Sequence, residues 1–194
     1  MGRLIVITGI PGVGKTTVCA ELMRQARGKG MSLRIVNYGT IMLEQLRRRR
    51  PGCHRDMIRK LPLDVQRSLQ ERTVKEIVAQ AGGVEYLLVD THAVVKTPTG
   101  YLPGLPVHVL RGLRPDLLVL IEALPRDIAQ RRAADATRMR DVEPEDGIRE
   151  ELELSRAAAV TCSTVVGVPL KIVMNKSGGQ DEAAMEILRA LTGL

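Results

Sequence analysis

Ten residues near the start of the chain, Thr8-Gly-Ile-Pro-Gly-Val-Gly-Lys-Thr-Thr17, hold three glycines, a lysine and three threonines. The spacing Gly9-x-x-x-x-Gly14-Lys15-Thr16 satisfies GxxxxGK[ST], the phosphate-binding loop. Glycines let backbone N–H groups turn inward around phosphate oxygens, and the helix that follows adds its positive end. Lys15 is placed to reach the β and γ oxygens, and the Thr16 hydroxyl to bind Mg²⁺. Thr17 is a helix-start residue that can also touch phosphate. Tyr86-Leu-Leu-Val-Asp90 reads as a partner strand whose terminal carboxylate holds the magnesium, directly or through water. These residues hold a nucleoside triphosphate with its metal and do not by themselves choose a reaction.

Several reactions use such a site. A guanine-specific switch protein needs NKxD after a late strand, but Asn175-Lys176-Ser177-Gly178 has glycine where the aspartate belongs. That stretch reads instead as a loop along an adenine edge. A hydroxyl kinase needs a general base, which Asp90-Thr91-His92 can supply. A nucleoside monophosphate kinase needs none, because its nucleophile is a phosphate whose second pKa is about 6. It needs cations around two anionic substrates and a cover against water. The arginines suit that need: Arg47–Arg50, then Arg55 with Arg59 and Lys60, then Arg131, Arg132, Arg138 and Arg140. Arg59 and Lys60 are the better candidates for an acceptor phosphate. The group from Arg131 to Arg140 reads as a short lid, with an exposed salt-bridged helix as the plainer alternative.

The elements that must position these residues are legible as alternating runs. Five nearly continuous apolar stretches, Leu4–Thr8, Leu33–Asn37, Tyr86–Asp90, Leu117–Glu122 and Leu170–Asn175, predict strands buried on both faces. Helical patterning lies between them over Thr16–Lys29, Thr40–Arg50, Leu63–Gln80, Pro125–Ala136, Glu145–Val166 and Asp181–Leu191. This is the pattern of a doubly wound α/β fold with a five-stranded parallel sheet flanked by helices. Thr8, Asn37, Asp90, Glu122 and Asn175 each close a predicted strand, and ligands of open α/β sheets bind at that edge.

Composition narrows the rest. The 194 residues suffice for one domain with a real core. That core lacks Phe and Trp, so Leu, Ile, Val, Ala and Met must fill it. Three scattered cysteines without a CxxC argue against a disulfide framework or zinc site. Net charge is +7, and 22 of the 29 basic residues are arginine, which fits an anionic partner. A nucleic-acid-associated ATPase stays open on charge alone, although few aromatic residues are present for base stacking. No run is long enough to span a membrane. Met1-Gly2-Arg3 leads straight into a strand without a signal-peptide pattern, so a cytoplasmic setting is expected.

Five stretches together carry a family resemblance: VITGIPGVGKTT (6–17), VNYGTIM (36–42), RDMIRKL (55–61), DTHAVVKTPTGYLPGLP (90–106) and DATRMRD (135–141). The chain resembles the archaeal-type adenylate kinases, a compact branch of the P-loop nucleoside monophosphate kinases. The resemblance implies reversible conversion of ATP and AMP to two ADP with Mg²⁺, with no nucleic acid or membrane required. It implies a core (1–37, 81–130 and 144–194), a helical AMP-binding segment of about 38–80 and a lid of about 131–143. Gly9, Ile10, Pro11, Gly12, Val13, Gly14, Lys15, Thr16 and Thr17 would hold the ATP phosphates, and Thr16 and Asp90 the metal. Thr40 would lie beside the AMP base or ribose, Arg59 on its phosphate, and His92 and Lys96 along the AMP side. Arg138 and Arg140 would act with Lys15 in catalysis. Homotrimers are common in the family. Two departures from the wider pattern stand out. The lid has no cysteine cluster, and THAVVKTPTG occupies the place of a bacterial-type Gly-Phe-Pro-Arg, leaving open what replaces that arginine.

Overall fold

A computed structural model describes residues 2–58, 60–97, 100–134 and 144–194, the Asp56 side chain excepted. β1 (Arg3–Thr8) runs into a glycine loop and α1 (Lys15–Gly28), then β2 (Leu33–Asn37). Next come α2 (Tyr38–Arg47), a one-turn α3 (Arg55–Ile58) and the long α4 (Leu63–Gln80). β3 (Tyr86–Asp90) leads to a hairpin, β4 (Val94–Thr97) and β5 (Gly100–Pro103), followed by α5 (Val107–Leu113). β6 (Leu117–Glu122), α6 (Pro125–Ala134), α7 (Glu145–Val166), β7 (Leu170–Met174) and α8 (Gln180–Thr192) complete the order.

The five long strands form one parallel sheet in the order β2-β3-β1-β6-β7, as the apolar runs predict. Side chains alternate across it. Ile5, Ile7, Leu88, Val119 and Ile121 face a cluster with Val18, Leu22 and Ala26 of α1 and Ala184, Ile187 and Leu191 of α8. Leu4, Val6, Leu87, Val89 and Leu118 face the other side, with Ile41 and Leu46 of α2, Leu69 and Ile77 of α4, and Val109 and Leu113 of α5. Each fully buried Leu or Ile contributes about 1.5–3 kcal/mol, so these two layers fix the sheet against its helices. The aromatic side chains are three tyrosines: Tyr38 opens α2, Tyr86 opens β3 and Tyr101 lies on β5.

α7 shows the packing pattern most simply. Ile148, Glu151, Ser155, Ala159 and Cys162 recur every three or four residues and form its buried stripe. The stripe includes a carboxylate, which is used below. The hairpin, α3 and α5 are not predicted by periodicity. Each lies in or beside a stretch with Pro and Gly, in a run too short for a clear period.

The chain crosses from β1 leftward to β2, then from β3 over β1 to β6, so strand order reverses around β1. The reversal opens a crevice at the carboxyl ends of β1 and β3, where Thr8 and Asp90 stand.

Candidate active site

The glycine loop is built by its own backbone and held from outside. Gly14 has φ +86° and precedes the first turn of α1. No side chain caps that helix. The first helical hydrogen bond runs from Val18 N–H to the Gly14 carbonyl, leaving the amides of 15–17 without intrahelical partners. No acidic residue sits in that turn. Open amides and an unneutralised helix start are what an anion requires.

Three side chains distant in sequence brace the loop. Asn175 Nδ2 donates to the Val13 carbonyl at 2.7 Å and occupies the space a Cβ on Gly14 would need. Arg131 Nη1 donates to the same carbonyl at 3.1 Å, and its Nη2 to the Asn175 carbonyl at 3.3 Å. Arg132 donates to the Pro11 carbonyl through Nε (3.0 Å) and Nη2 (2.9 Å). Arg132 Nη2 also pairs with Glu151 Oε2 at 2.6 Å, with both side chains largely buried. The Asn175–Gly178 stretch reads in sequence as a loop along an adenine edge, and the structure adds that the Asn175 amide turns inward to the Val13 carbonyl. Sequence reasoning missed Glu151, for which a charge inside the apolar stripe of α7 was the available signal.

Lys15 is 8% exposed, and its Nζ lies 2.7 Å from the Gly9 carbonyl and 3.2 Å from His92 Nδ1. His92 Nδ1 lies 2.9 Å from the same carbonyl. His92 is thus grouped with the donor loop. Lys96 sits on β4, exposed, with Nζ 3.9 Å from Glu151 Oε1. The ion pair ties it to α7 and to the brace on Arg132, and no described contact joins it to Thr40.

Asp90 closes β3 beside Ile7 of β1 and Asn37 of β2. Asn37 Nδ2 donates to Asp90 Oδ2 at 2.8 Å, while Asp90 Oδ1 is buried without a partner among the described residues. Buried carboxylate oxygens are satisfied in native proteins, so an unpaired one at a phosphate loop points to a ligand. With the exposed Thr16 hydroxyl, the donors are hard oxygens, which fit Mg²⁺ held together with a nucleotide. Cys19, one turn along α1, senses both neighbours. Burial, then the Asp90 carboxylate, push its thiol up to about 12, and Lys15 opposes the rise.

At the end of β2, Asn37 caps α2: its Oδ1 accepts from Thr40 N–H at 3.0 Å and from the Thr40 hydroxyl at 3.1 Å. Thr40 is thereby placed at the sheet edge one strand from Asp90. Arg59, Arg138 and Arg140 lie outside the described residues.

A phosphate loop at the switch point of a parallel sheet, with a metal-suited aspartate on the adjacent strand, defines a P-loop nucleotide-binding protein. A family model described as an AAA domain matches residues 8–149. The chain is 45% identical over 186 residues to the adenylate kinase of Thermoplasma volcanium, covering 96% of this chain and 98% of that one. It is 42% identical over 195 residues to that of Methanopyrus kandleri, all of both chains, and 40% identical over 189 residues to that of Methanocaldococcus jannaschii, covering 97% and 98%. A crystal structure of TT1252 from Thermus thermophilus shares the fold, with TM-score 0.56 at 15% identity over 99% of this chain and 97% of that one. The chain belongs to the adenylate kinase family.

Proposed function

We propose that this protein catalyses the reversible, Mg²⁺-dependent transfer of the γ-phosphoryl group of ATP to AMP, giving two ADP. The observation that carries the reading is full-length similarity of 40–45% to archaeal adenylate kinases. The geometry supports it: one hydrogen bond, Asn37 to Asp90, joins the start of the acceptor segment to the aspartate beside the donor loop.

The chemistry follows from the residues. The amides of 15–17 and the Lys15 ammonium receive the triphosphate. A phosphate oxygen of AMP attacks the γ-phosphorus in line, and ADP is the leaving group. No general base is required, because the acceptor is already ionised at neutral pH. Asp90 and Thr16 would hold Mg²⁺, which would supply charge neutralisation to the triphosphate. Arg138 and Arg140 are proposed to close over the transferring group from a lid of about 131–143, excluding water. Arg59 is proposed to meet the acceptor from the segment of about 38–80. His92 and Lys96 keep their proposed place along the acceptor path, with His92 beside Lys15. A cytoplasmic setting and a homotrimer belong to the same reading; sedimentation measures the second.

The deciding assay incubates the protein with MgATP and each nucleoside monophosphate in turn and separates the products. ADP formed with AMP, and far more slowly with the others, is the expected result. Diphosphate formed equally from every monophosphate, or from none, overturns the reading.

A further inference from the structure

The turn at the tip of the donor loop can be built in two ways. Val13 N–H donates to the Ile10 carbonyl at 3.4 Å, which makes Ile10–Val13 a β-turn with Pro11 and Gly12 at its centre. Gly12 has φ +92°, the mark of a type II turn with glycine in its third place. Types I and II differ by a half-rotation of the central peptide, here the one joining Pro11 to Gly12. A trans peptide is planar, so its C=O and the N–H that follows point opposite ways. Whatever holds the Pro11 carbonyl therefore also aims the Gly12 N–H.

Arg132 holds it, through Nε at 3.0 Å and Nη2 at 2.9 Å. Its stem packs on the turn: a Cβ built on Gly12 would meet Arg132 Cγ at 3.1 Å and Ile128 Cγ2 at 3.0 Å. Ile128 is fully buried, so the turn rests on a firm wall of α6. The Arg132 side chain is 12% exposed, and a neutral carbonyl does not balance a charge that deep. Glu151 Oε2 supplies the countercharge at 2.6 Å. Its other oxygen, Oε1, faces Lys96 of the hairpin at 3.9 Å. An apolar side chain would suit the α7 stripe between Ile148 and Ser155, and a carboxylate there is costly unless it is paired. The carboxylate answers Arg132, and through Arg132 the turn.

We infer that Glu151 is a positioning residue for the donor triphosphate. It acts through Arg132: the ion pair fixes the guanidinium on the Pro11 carbonyl, and the held carbonyl turns the Gly12 N–H toward the phosphate cradle. The pairing also decides which partner the arginine takes. Neutralised by Glu151, Arg132 serves the loop's carbonyl and leaves the phosphates to the amides and Lys15. The inference rests on the loop binding a nucleoside triphosphate.

The test measures MgATP and AMP binding separately, by calorimetry on the intact protein. For Glu151→Gln, MgATP binding should weaken about five- to tenfold, the usual scale for one hydrogen bond lost, while AMP binding stays within about twofold. Glu151→Asp should recover part of the loss, because it keeps the charge on a shorter stem. Arg132→Ala should weaken MgATP at least as much as Glu151→Gln. The double variant of Arg132→Ala with Glu151→Gln should be no worse than Arg132→Ala alone, because the carboxylate then has nothing to act through. Retained AMP binding also reports that each variant is folded. Equal losses for MgATP and AMP, or losses that add in the double variant, would make Glu151 merely structural and overturn the inference. Tighter MgATP binding by Glu151→Gln would overturn it too, by showing that the freed arginine serves the phosphates better than the carbonyl. If the wild-type protein binds no MgATP, the functional reading fails. If it does and Glu151→Gln binds MgATP equally well, only the Glu151 assignment fails.

Discussion

Two helices begin at the same edge of the sheet and are finished in opposite ways. α1 starts at Gly14 with no side-chain cap, and the carbonyls of the loop before it are gripped by Asn175, Arg131 and Arg132. α2 starts at Asn37, which caps it and ties it to Asp90. On the donor side the protein spends its side chains on the loop's carbonyls and leaves the amides open. At α2 the Thr40 amide is taken by Asn37. A backbone cradle suits a polyphosphate held the same way in every turnover.

The largest expected effect tests the donor side. Lys15→Ala removes the charge that reaches the transferring group, and turnover should fall by a factor on the order of 10³ or more. Near-normal turnover would remove Lys15 from the mechanism.

Gly14→Ala tests whether the cradle depends on its backbone. A non-glycine residue in the left-handed region costs about 1–2 kcal/mol, and here the new methyl also meets Asn175 Nδ2. Thermal melting should drop by roughly 5 °C, and the KM for ATP should rise more than that for AMP. An equal rise in both would mean that the two helices are not independent.

Asn37→Ala makes the opposite cut. Losing the cap costs about 1 kcal/mol, and freeing both Asp90 and Thr40 should raise the KM for AMP about fivefold. It should also raise the Mg²⁺ concentration needed for half-maximal rate. A change confined to the KM for ATP would reverse the comparison drawn above.

The smallest effect concerns rigidity under the donor loop. Buried Cys19 carries a thiol pushed up to about 12, so in the folded protein it stays protonated while an unfolded cysteine ionises near 9.0. Folding therefore loses stability from this group as pH rises from about 9 toward 12, and loses none at neutral pH. Iodoacetamide at pH 8 should leave Cys19 unmodified until denaturant is added. Equal labelling of native and denatured protein would show that the cradle opens readily.

The donor site was legible because it is local. Gly9, Gly14, Lys15 and Thr16 lie within eight consecutive residues, and the apolar runs on either side fix their strand and helix. Asp90 was legible because a strand ending in a carboxylate is a short-range pattern. The braces were not, since Asn175 meets Val13 across 162 positions and Arg132 meets Pro11 across 121. Nothing in a local window encodes such contacts. The contacts of His92 with Gly9 and of Lys96 with Glu151 are long-range for the same reason. The β4–β5 hairpin that carries Lys96 reads, in sequence, as a run of Pro and Gly.

The three tyrosines have a practical consequence for watching this enzyme work. With no tryptophan anywhere in the chain, the protein is dark when excited at the red edge of protein absorbance. Its native emission comes from Tyr38 at the root of the acceptor segment, Tyr86 within the sheet and Tyr101 on the hairpin. None lies on α1, α6 or α7. A single tryptophan introduced at an exposed site of α6, such as Gln130 near the bracing arginines, would therefore report on that helix alone, against no background.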